Sequence, residues 1–355
     1  MPSILIAPKG GREVASSRYR IHDLVPLLEE RGWSARLLTP SMHRAGRHWR
    51  WLPDALRSLT GQDVLLAQRP GWRREHLLLL RIARKRSGLL VLDLDDPPGL
   101  WDESRAWSVA HADLILAGSW ALVDELRSHG AQVEHLTTAL ATREYDIPRP
   151  ANDPPVVGWV GDGPGYHDSL LRMLRGVVTA ETPWRVRIVG TRGDARLESA
   201  LRSAAAGRSI ELVPHVDWEA ESAVAQAVAA FDVGLAPLRT AEGASFKTVQ
   251  YLAAGVVPIA EAGGEAERHV RLALGQSATI VSVEDPASVG SMLDRLADTG
   301  FRAACAERGR EAARRHYDRE SVADRLDYLL RQAISDRGAH GGARGRGAPP
   351  PRTGT

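Results

Sequence analysis

Residues Phe231–Glu267 read FDVGLAPLRTAEGASFKTVQYLAAGVVPIAEAGGEAE. Asp232 to Pro237 is a near-continuous apolar run, the pattern of a strand buried on both faces. A loop follows, and a helix is expected to begin near Ser245 and close at Ala253-Ala254-Gly255. The next apolar run, Val256 to Ala260, predicts a second strand, and Gly263-Gly264 a bare backbone turn. Strand, helix and strand in this order form a crossover unit, which implies a parallel sheet. Ligands of such sheets bind beyond the carboxyl ends of the strands. A helix that starts there offers unpaired N–H groups and partial positive charge, which suit a phosphate. Lys247 falls in the first turn of this helix. Only Lys9 and Lys85 accompany it in a chain that otherwise uses arginine, so its retention is informative.

The same alternation extends in both directions. Upstream lie the apolar runs Val156–Val160, Arg185–Gly190 and Ile210–Val213; downstream lie Ala278–Val281 and a long helical stretch, Arg302–Gln332. Tyr145 to Pro155 holds Pro148, Pro150, Pro154 and Pro155, and reads as a linker. Before it come the runs Ser3–Ala7, Ala35–Leu38, Asp63–Ala67, Leu89–Asp93 and Ala112–Ala117. A helix is expected over Ser16–Arg31, kinked or broken early at Pro26, and another from Trp120 capped by Ser119. A chain of 355 residues exceeds what one core usually fills. The expectation is an α/β protein of two doubly wound Rossmann-like domains facing a central cleft: 1–150, 151–335, and a Gly/Pro/Arg-rich tail, 336–355, read as disordered.

Composition narrows the function. No run approaches the roughly 18 to 20 apolar residues of a membrane helix, and Met1–Ala7 lacks the basic leader of a signal peptide, so a cytoplasmic place is expected. Cys305 is the only cysteine, which excludes an intrachain disulfide and a cysteine-rich zinc site. Twelve histidines show no metal-ligand spacing; His111, at the start of the Ala112–Ala117 strand, reads as structural, as do His135 and His215, and no metal is expected. Net charge is +2, too small to argue for nucleic acid. Residues 42–86 nevertheless hold eleven Arg/Lys against three Asp/Glu. With Trp49-Arg50-Trp51 and Trp72-Arg73-Arg74 interleaved, this stretch suits peripheral contact with an anionic membrane surface, or an acidic acceptor. The plainer reading is solvated arginines on helices flanking a sheet.

Phe231–Glu267 resembles the donor-binding region of the family 4 glycosyltransferases, a retaining family with the GT-B fold, and within it members with Phe-Lys-x-x-Gln-Tyr before the Ala-Ala-Gly turn. The resemblance implies a hexosyltransferase that moves sugar from a nucleotide diphosphate donor to a hydroxyl of a small-molecule, glycan or lipid-linked acceptor, with retention and no further cofactor. It puts Glu242 against the transferred sugar, Gln250 at the ribose, and Gly263, Gly264 and Glu267 in the family's Gly-Gly-x-x-Glu loop. A glutamine there lacks the charge-assisted strength of the family's usual carboxylate. It makes Lys247 the residue that meets the leaving diphosphate. The family's Arg/Lys pair after the first strand of the second domain is missing. Gly158–Gly165 holds glycines, among them Gly161, and the acid Asp162, but no cation. The remaining charge then falls to helix amides, to Arg239, or to an arginine of the first domain. Pro8–Arg20 resembles the family loosely and places Gly10, Gly11 and Arg18 toward the donor. Asp95, in Asp93-Leu94-Asp95-Asp96, reads as an acceptor contact or base; helix capping, arginine pairing and a paired-oxygen metal site are the alternatives. Two other classes share the fold: a nucleotide-sugar 2-epimerase and a non-catalytic sugar-nucleotide-binding protein.

Overall fold

The computed structural model describes residues 1–38, 61–69, 80–82, 84–85, 88–95, 103–128, 132–238 and 245–340. The front half holds strands β1 (Ser3–Ala7), β2 (Ser34–Leu37), β3 (Val64–Gln68), β4 (Leu89–Leu94), β5 (Leu114–Ala117) and β6 (Val133–His135), with helices α1 (Val25–Glu30), α2 (Glu103–His111) and α3 (Trp120–Ser128). The rear half holds β7 (Val156–Val160), α4 (His167–Val177), β8 (Arg185–Val189), α5 (Ala195–Ala204), β9 (Ile210–Val213), α6 (Glu221–Ala229), β10 (Val233–Ala236), α7 (Phe246–Ala254), β11 (Val257–Glu261), α8 (Glu265–Leu274), β12 (Ile280–Val281), α9 (Pro286–Ala297), α10 (Thr299–His316) and α11 (Arg319–His340).

Both sheets are parallel and six-stranded, in the orders β2-β1-β3-β4-β5-β6 and β12-β11-β10-β7-β8-β9. β3, β4, β7, β10 and β11 are buried along their whole length, as their unbroken apolar runs require. In each sheet the strand order reverses once, between β1 and β3 and between β7 and β10. Those reversals open a crevice at the carboxyl end, because neighbouring connections leave on opposite faces.

Three expectations change in detail. The single helix over 16–31 is instead a helical turn at Ala15–Ser17, a π-type turn at Arg18–His22 and α1. Pro26 lies in the first turn of α1, where no N–H is needed, so of the two expected outcomes the structure shows the break and not the kink. His111 ends α2 instead of starting a strand, stacked on Trp107 at 4.2 Å. The long helix over 302–332 is two helices. The break at Tyr317–Arg319 exists because that backbone is used elsewhere: Leu140 donates to the Tyr317 carbonyl (2.8 Å) and Arg319 donates to the Leu140 carbonyl (3.1 Å). The chain therefore crosses between the halves twice, and the two crossings are bonded to each other.

The second crossing moves α11 out of the domain the sequence assigned it to. Val322, Ala323, Leu326, Leu329 and Leu330 pack into the front core with Ile4, Leu28 and Trp33. Trp33 Nε1 donates to Asp327 (2.6 Å), and Arg31 pairs with Asp324 (2.7 Å). Each fully buried aliphatic side chain here contributes roughly 1.5–3 kcal/mol, enough to fix the return. α11 also runs to His340, so 336–340 is helical; 341–355 lies outside the described residues. Among the described residues no helix is long and apolar enough to cross a membrane.

Candidate active site

In the rear crevice the parting strands are bridged by one phenol. β7 and β10 pair only at Val157–Val233 and Gly158–Gly234. Beyond that, Tyr251 Oη accepts from the Val160 N–H (3.2 Å) and donates to the Leu235 carbonyl (3.3 Å). Gly234 is glycine because the Tyr251 ring lies where its Cβ would be, 2.5 Å away. The strand β10 then exits under tight control. The Leu238 N–H donates to Glu261 at the end of β11 (2.7 Å), and the Leu238 carbonyl accepts from Ser169 on α4 (2.8 Å). Arg172 lies 3.7 Å from the same Glu261 carboxylate.

α7 starts at the mouth of this crevice. Its N-cap Ser245 makes no side-chain bond to the helix amides; its hydroxyl meets Thr248 Oγ1 instead (2.7 Å). Lys247, half-buried in the first turn, stands 3.7 Å above the Tyr166 ring and 5.5 Å from the Trp159 ring. Its Cε would lie 3.5 Å from a Cβ on Gly161. α7 ends as the sequence predicts, at Gly255 with φ +67. Lys247, Gly161 and the α7 terminus are thus brought together.

The other predicted residues of this half are bonded within the protein. Gln250 is buried and donates to Tyr145 Oη (2.9 Å). Burial raises the Tyr145 hydroxyl well above its ordinary value. Glu267 accepts from the Gly263 N–H (2.7 Å) and from Arg271 (2.7 Å), and both bonds lower its pKa. It braces the glycine turn. Gly263 has φ +93 with open space at its Cβ position, whereas a Cβ on Gly264 would strike Leu238 at 2.3 Å. Glu242 and Arg239 lie outside the described residues.

The front crevice is wired differently. Gln68 ends β3 and accepts from Ser17 Oγ (2.8 Å) and the Lys9 N–H (3.2 Å), while its amide donates to the Ser16 carbonyl (3.0 Å). Ser17 in turn accepts from the Gly10 N–H (3.0 Å). Gly10 therefore spends its amide inside the protein. Gly11 follows it in the same turn, accepting from Val14 N–H (3.1 Å). Asp93, fully buried, is held by Arg20 at 2.5 Å; burial raises its pKa, and the guanidinium opposes that. Asp95, the acceptor candidate, directly follows β4, with Arg69 3.5 Å away. Asp96, like most of 42–86, lies outside the described residues.

Arg18 joins the two crevices. Its guanidinium donates to the carbonyls of Trp218 and Glu219, each at 2.9 Å, and to Tyr19 Oη (2.6 Å). The Tyr19 ring packs tilted against that of Phe246, the first residue of α7, with centroids 4.6 Å apart. The front turn and the rear helix start are therefore in contact across the cleft. A second bridge is Glu265, whose carboxylate accepts from the Trp120 N–H at the start of α3 (3.1 Å). His135 Nε2 and His269 Nε2 lie 3.9 and 4.0 Å from it. Burial pushes Glu265 up to about 7, and His135 and His269 down to about 3 and about 4.

Residues 154–299 match the family model described as "Glycosyl transferases group 1". HepE from Anabaena, solved with UDP and glucose, superposes with TM-score 0.67 at 15% identity, covering 94% of this chain and 100% of that one. A glycosyltransferase from Rickettsia africae gives 0.69 at 9% identity, covering 94% and 99%. The α,α-trehalose 6-phosphate synthase from Burkholderia multivorans gives 0.61 at 13%, covering 98% and 99%. The fold is GT-B. No curated protein matches the chain by sequence. The family match falls on the GT-B domain that carries Lys247, and together they support glycosyl transfer as the class of chemistry.

Gln68, Ser17, Tyr251, Glu261 and Glu265 were not singled out from the sequence. Gln68 and Glu261 carry a usable signal: each is a polar residue that terminates an apolar strand, VLLAQ and VPIAE. Such residues emerge at the carboxyl edge where ligands bind.

Proposed function

We propose that the protein is a retaining glycosyltransferase that takes a hexose from a nucleotide diphosphate sugar and passes it to an acceptor hydroxyl. The observation that carries this reading is Lys247 in the first turn of a helix whose N-cap Ser245 does not bond the amides, at a strand-order reversal, inside the segment that matches the group 1 glycosyltransferases. The ammonium and the amides there would stabilise the charge that develops on the departing diphosphate. Glu242 would face the sugar and Gln250 the ribose. Asp95, at the end of β4 on the front crevice, would orient the acceptor hydroxyl. The two crossings, bonded to each other through Leu140, Tyr317 and Arg319, would serve as the hinge, and closure would exclude water from the transfer. HepE, which shares the fold, is solved with UDP-glucose, so a UDP-sugar is the first donor to try.

The test is a thermal-shift panel of UDP-, GDP-, ADP- and dTDP-sugars, because a ligand that binds only the native state raises the melting temperature. The stabilising donor is then incubated with acceptor panels, and the anomeric configuration of the product is read by NMR. Selective stabilisation and a product of retained configuration are expected. Interconversion of the donor sugar without any acceptor would identify an epimerase, and binding without turnover a non-catalytic binder.

A further inference from the structure

The turn after β7 carries Asp162 and no cation, a poor neighbour for a diphosphate. In the structure Asp162 is not alone. The turn after β8 brings Arg192 to it, with Nε 3.1 Å from Oδ1. The two turns are interlocked. The Gly163 N–H donates to the Gly190 carbonyl (2.9 Å), and a Cβ on Gly190 would lie 1.9 Å from the Gly161 carbonyl oxygen. Gly161 in turn abuts the Lys247 stem. Lys247, Gly161 and the Asp162–Arg192 pair therefore follow one another along the same carboxyl edge.

Arg192 has a backbone φ of +57. That left-handed conformation is unfavourable for a side chain with a Cβ and costs glycine nothing. The next residue, Gly193, also has positive φ, so the turn could have been glycine throughout. It is also stiff: the Arg192 N–H donates to the Pro214 carbonyl (2.8 Å), Thr191 donates to Glu198 (2.6 Å), and Asp194 caps α5. Stability does not explain an arginine here. The Arg192 and Asp162 side chains are 67% and 46% exposed, and exposed ion pairs contribute little. Non-glycine residues held in such backbone conformations concentrate at ligand sites.

We propose that Arg192 is the second cationic contact for the diphosphate, standing in for the Arg/Lys pair missing after β7, with Asp162 as its resting partner while the crevice is empty. This rests on the donor reading above. When the diphosphate enters, the fork turns its terminal nitrogens onto phosphate oxygens, where paired charge-assisted bonds form.

The experiment measures binding of UDP, GDP, ADP and dTDP, of the matching monophosphates, and of inorganic pyrophosphate, by calorimetry with the full chain. Arg192→Gly is the decisive variant, because glycine accepts φ +57 and the turn keeps its shape. It should lose about tenfold in affinity for the bound nucleoside diphosphate and for pyrophosphate, with the monophosphate nearly unchanged. Asp162→Asn should change diphosphate affinity in the opposite direction, since it removes the competing carboxylate. Arg192→Gly binding the diphosphate as tightly as wild type, or losing mono- and diphosphate equally, would overturn the assignment while leaving the donor reading intact. Wild-type protein that binds none of the four nucleotides would overturn the donor reading itself, and Arg192's role with it.

Discussion

At the front reversal, between β1 and β3, the strands part around Gln68, whose amide ties three segments together, with Arg20–Asp93 buried just behind. At the rear reversal, between β7 and β10, one Tyr251 hydroxyl does the bridging, with glycines and a helix start around it. The front crevice therefore spends its polar groups on itself. The Lys9 and Gly10 amides are both occupied by side chains. In the rear crevice the first turn of α7 has no side-chain cap among the described residues, and an ammonium is set beside it. One wall is tied together by buried side chains and the other is built on glycines and a helix start, and the difference can be attacked from either side.

The largest effect is expected at the front. Arg20→Met keeps the stem but leaves the Asp93 carboxylate buried without its cation. Breaking a buried pair from one side costs about 3–5 kcal/mol, read as a lowered denaturant midpoint. A loss below about 1 kcal/mol would mean that the front wall does not depend on this pair. At the rear the larger effect is on rate. Lys247→Ala should lower turnover by about 100-fold or more, the scale for removing one preorganised charge stabiliser, while the melting temperature holds. Unchanged turnover would remove Lys247 from the chemistry.

The same contrast explains what could be read from the sequence. The alternating elements, both sheets and the α7 start at Ser245 were legible, because each depends on a contiguous run of residues. The place of Lys247 in the first turn and the stop at Gly255 were legible for the same reason. The front wiring was not: Gln68 meets Ser17 across 51 positions and Arg20 meets Asp93 across 73, and no local pattern encodes such pairs. The Arg18 guanidinium shows the limit most clearly. Its position after the glycine turn suggested a donor contact, yet its nitrogens reach carbonyls 200 and 201 residues away. The return of α11 to the front core was hidden because an amphipathic helix does not record which sheet it covers.

A smaller effect sharpens the comparison. Tyr251→Phe leaves the Val160 N–H and the Leu235 carbonyl without their bridge and should cost about 1–2 kcal/mol. That is well under the Arg20 figure, because no buried charge is stranded. Equal losses at the two positions would erase the distinction between the walls.

The smallest effect lies where the walls touch, at Glu265. Burial raises its carboxyl from 4.5 to about 7, so the folded protein holds a proton there that the unfolded chain releases. That contribution is fully present below pH 4.5 and is lost as pH rises through about 7. His135 and His269, depressed to about 3 and about 4, act in the opposite sense: their contribution is present above pH 6.5 and is lost as pH falls through those values. Between pH 4.5 and 6.5 the carboxyl and the imidazoles therefore oppose each other. Glu265→Gln keeps an acceptor for the Trp120 N–H but removes one side of the opposition. The melting temperature of the variant relative to wild type should climb steadily from pH 4.5 to about 7 and level off above it. Parallel curves would show that the carboxyl keeps an ordinary pKa, and that the contact between the two walls opens readily to water.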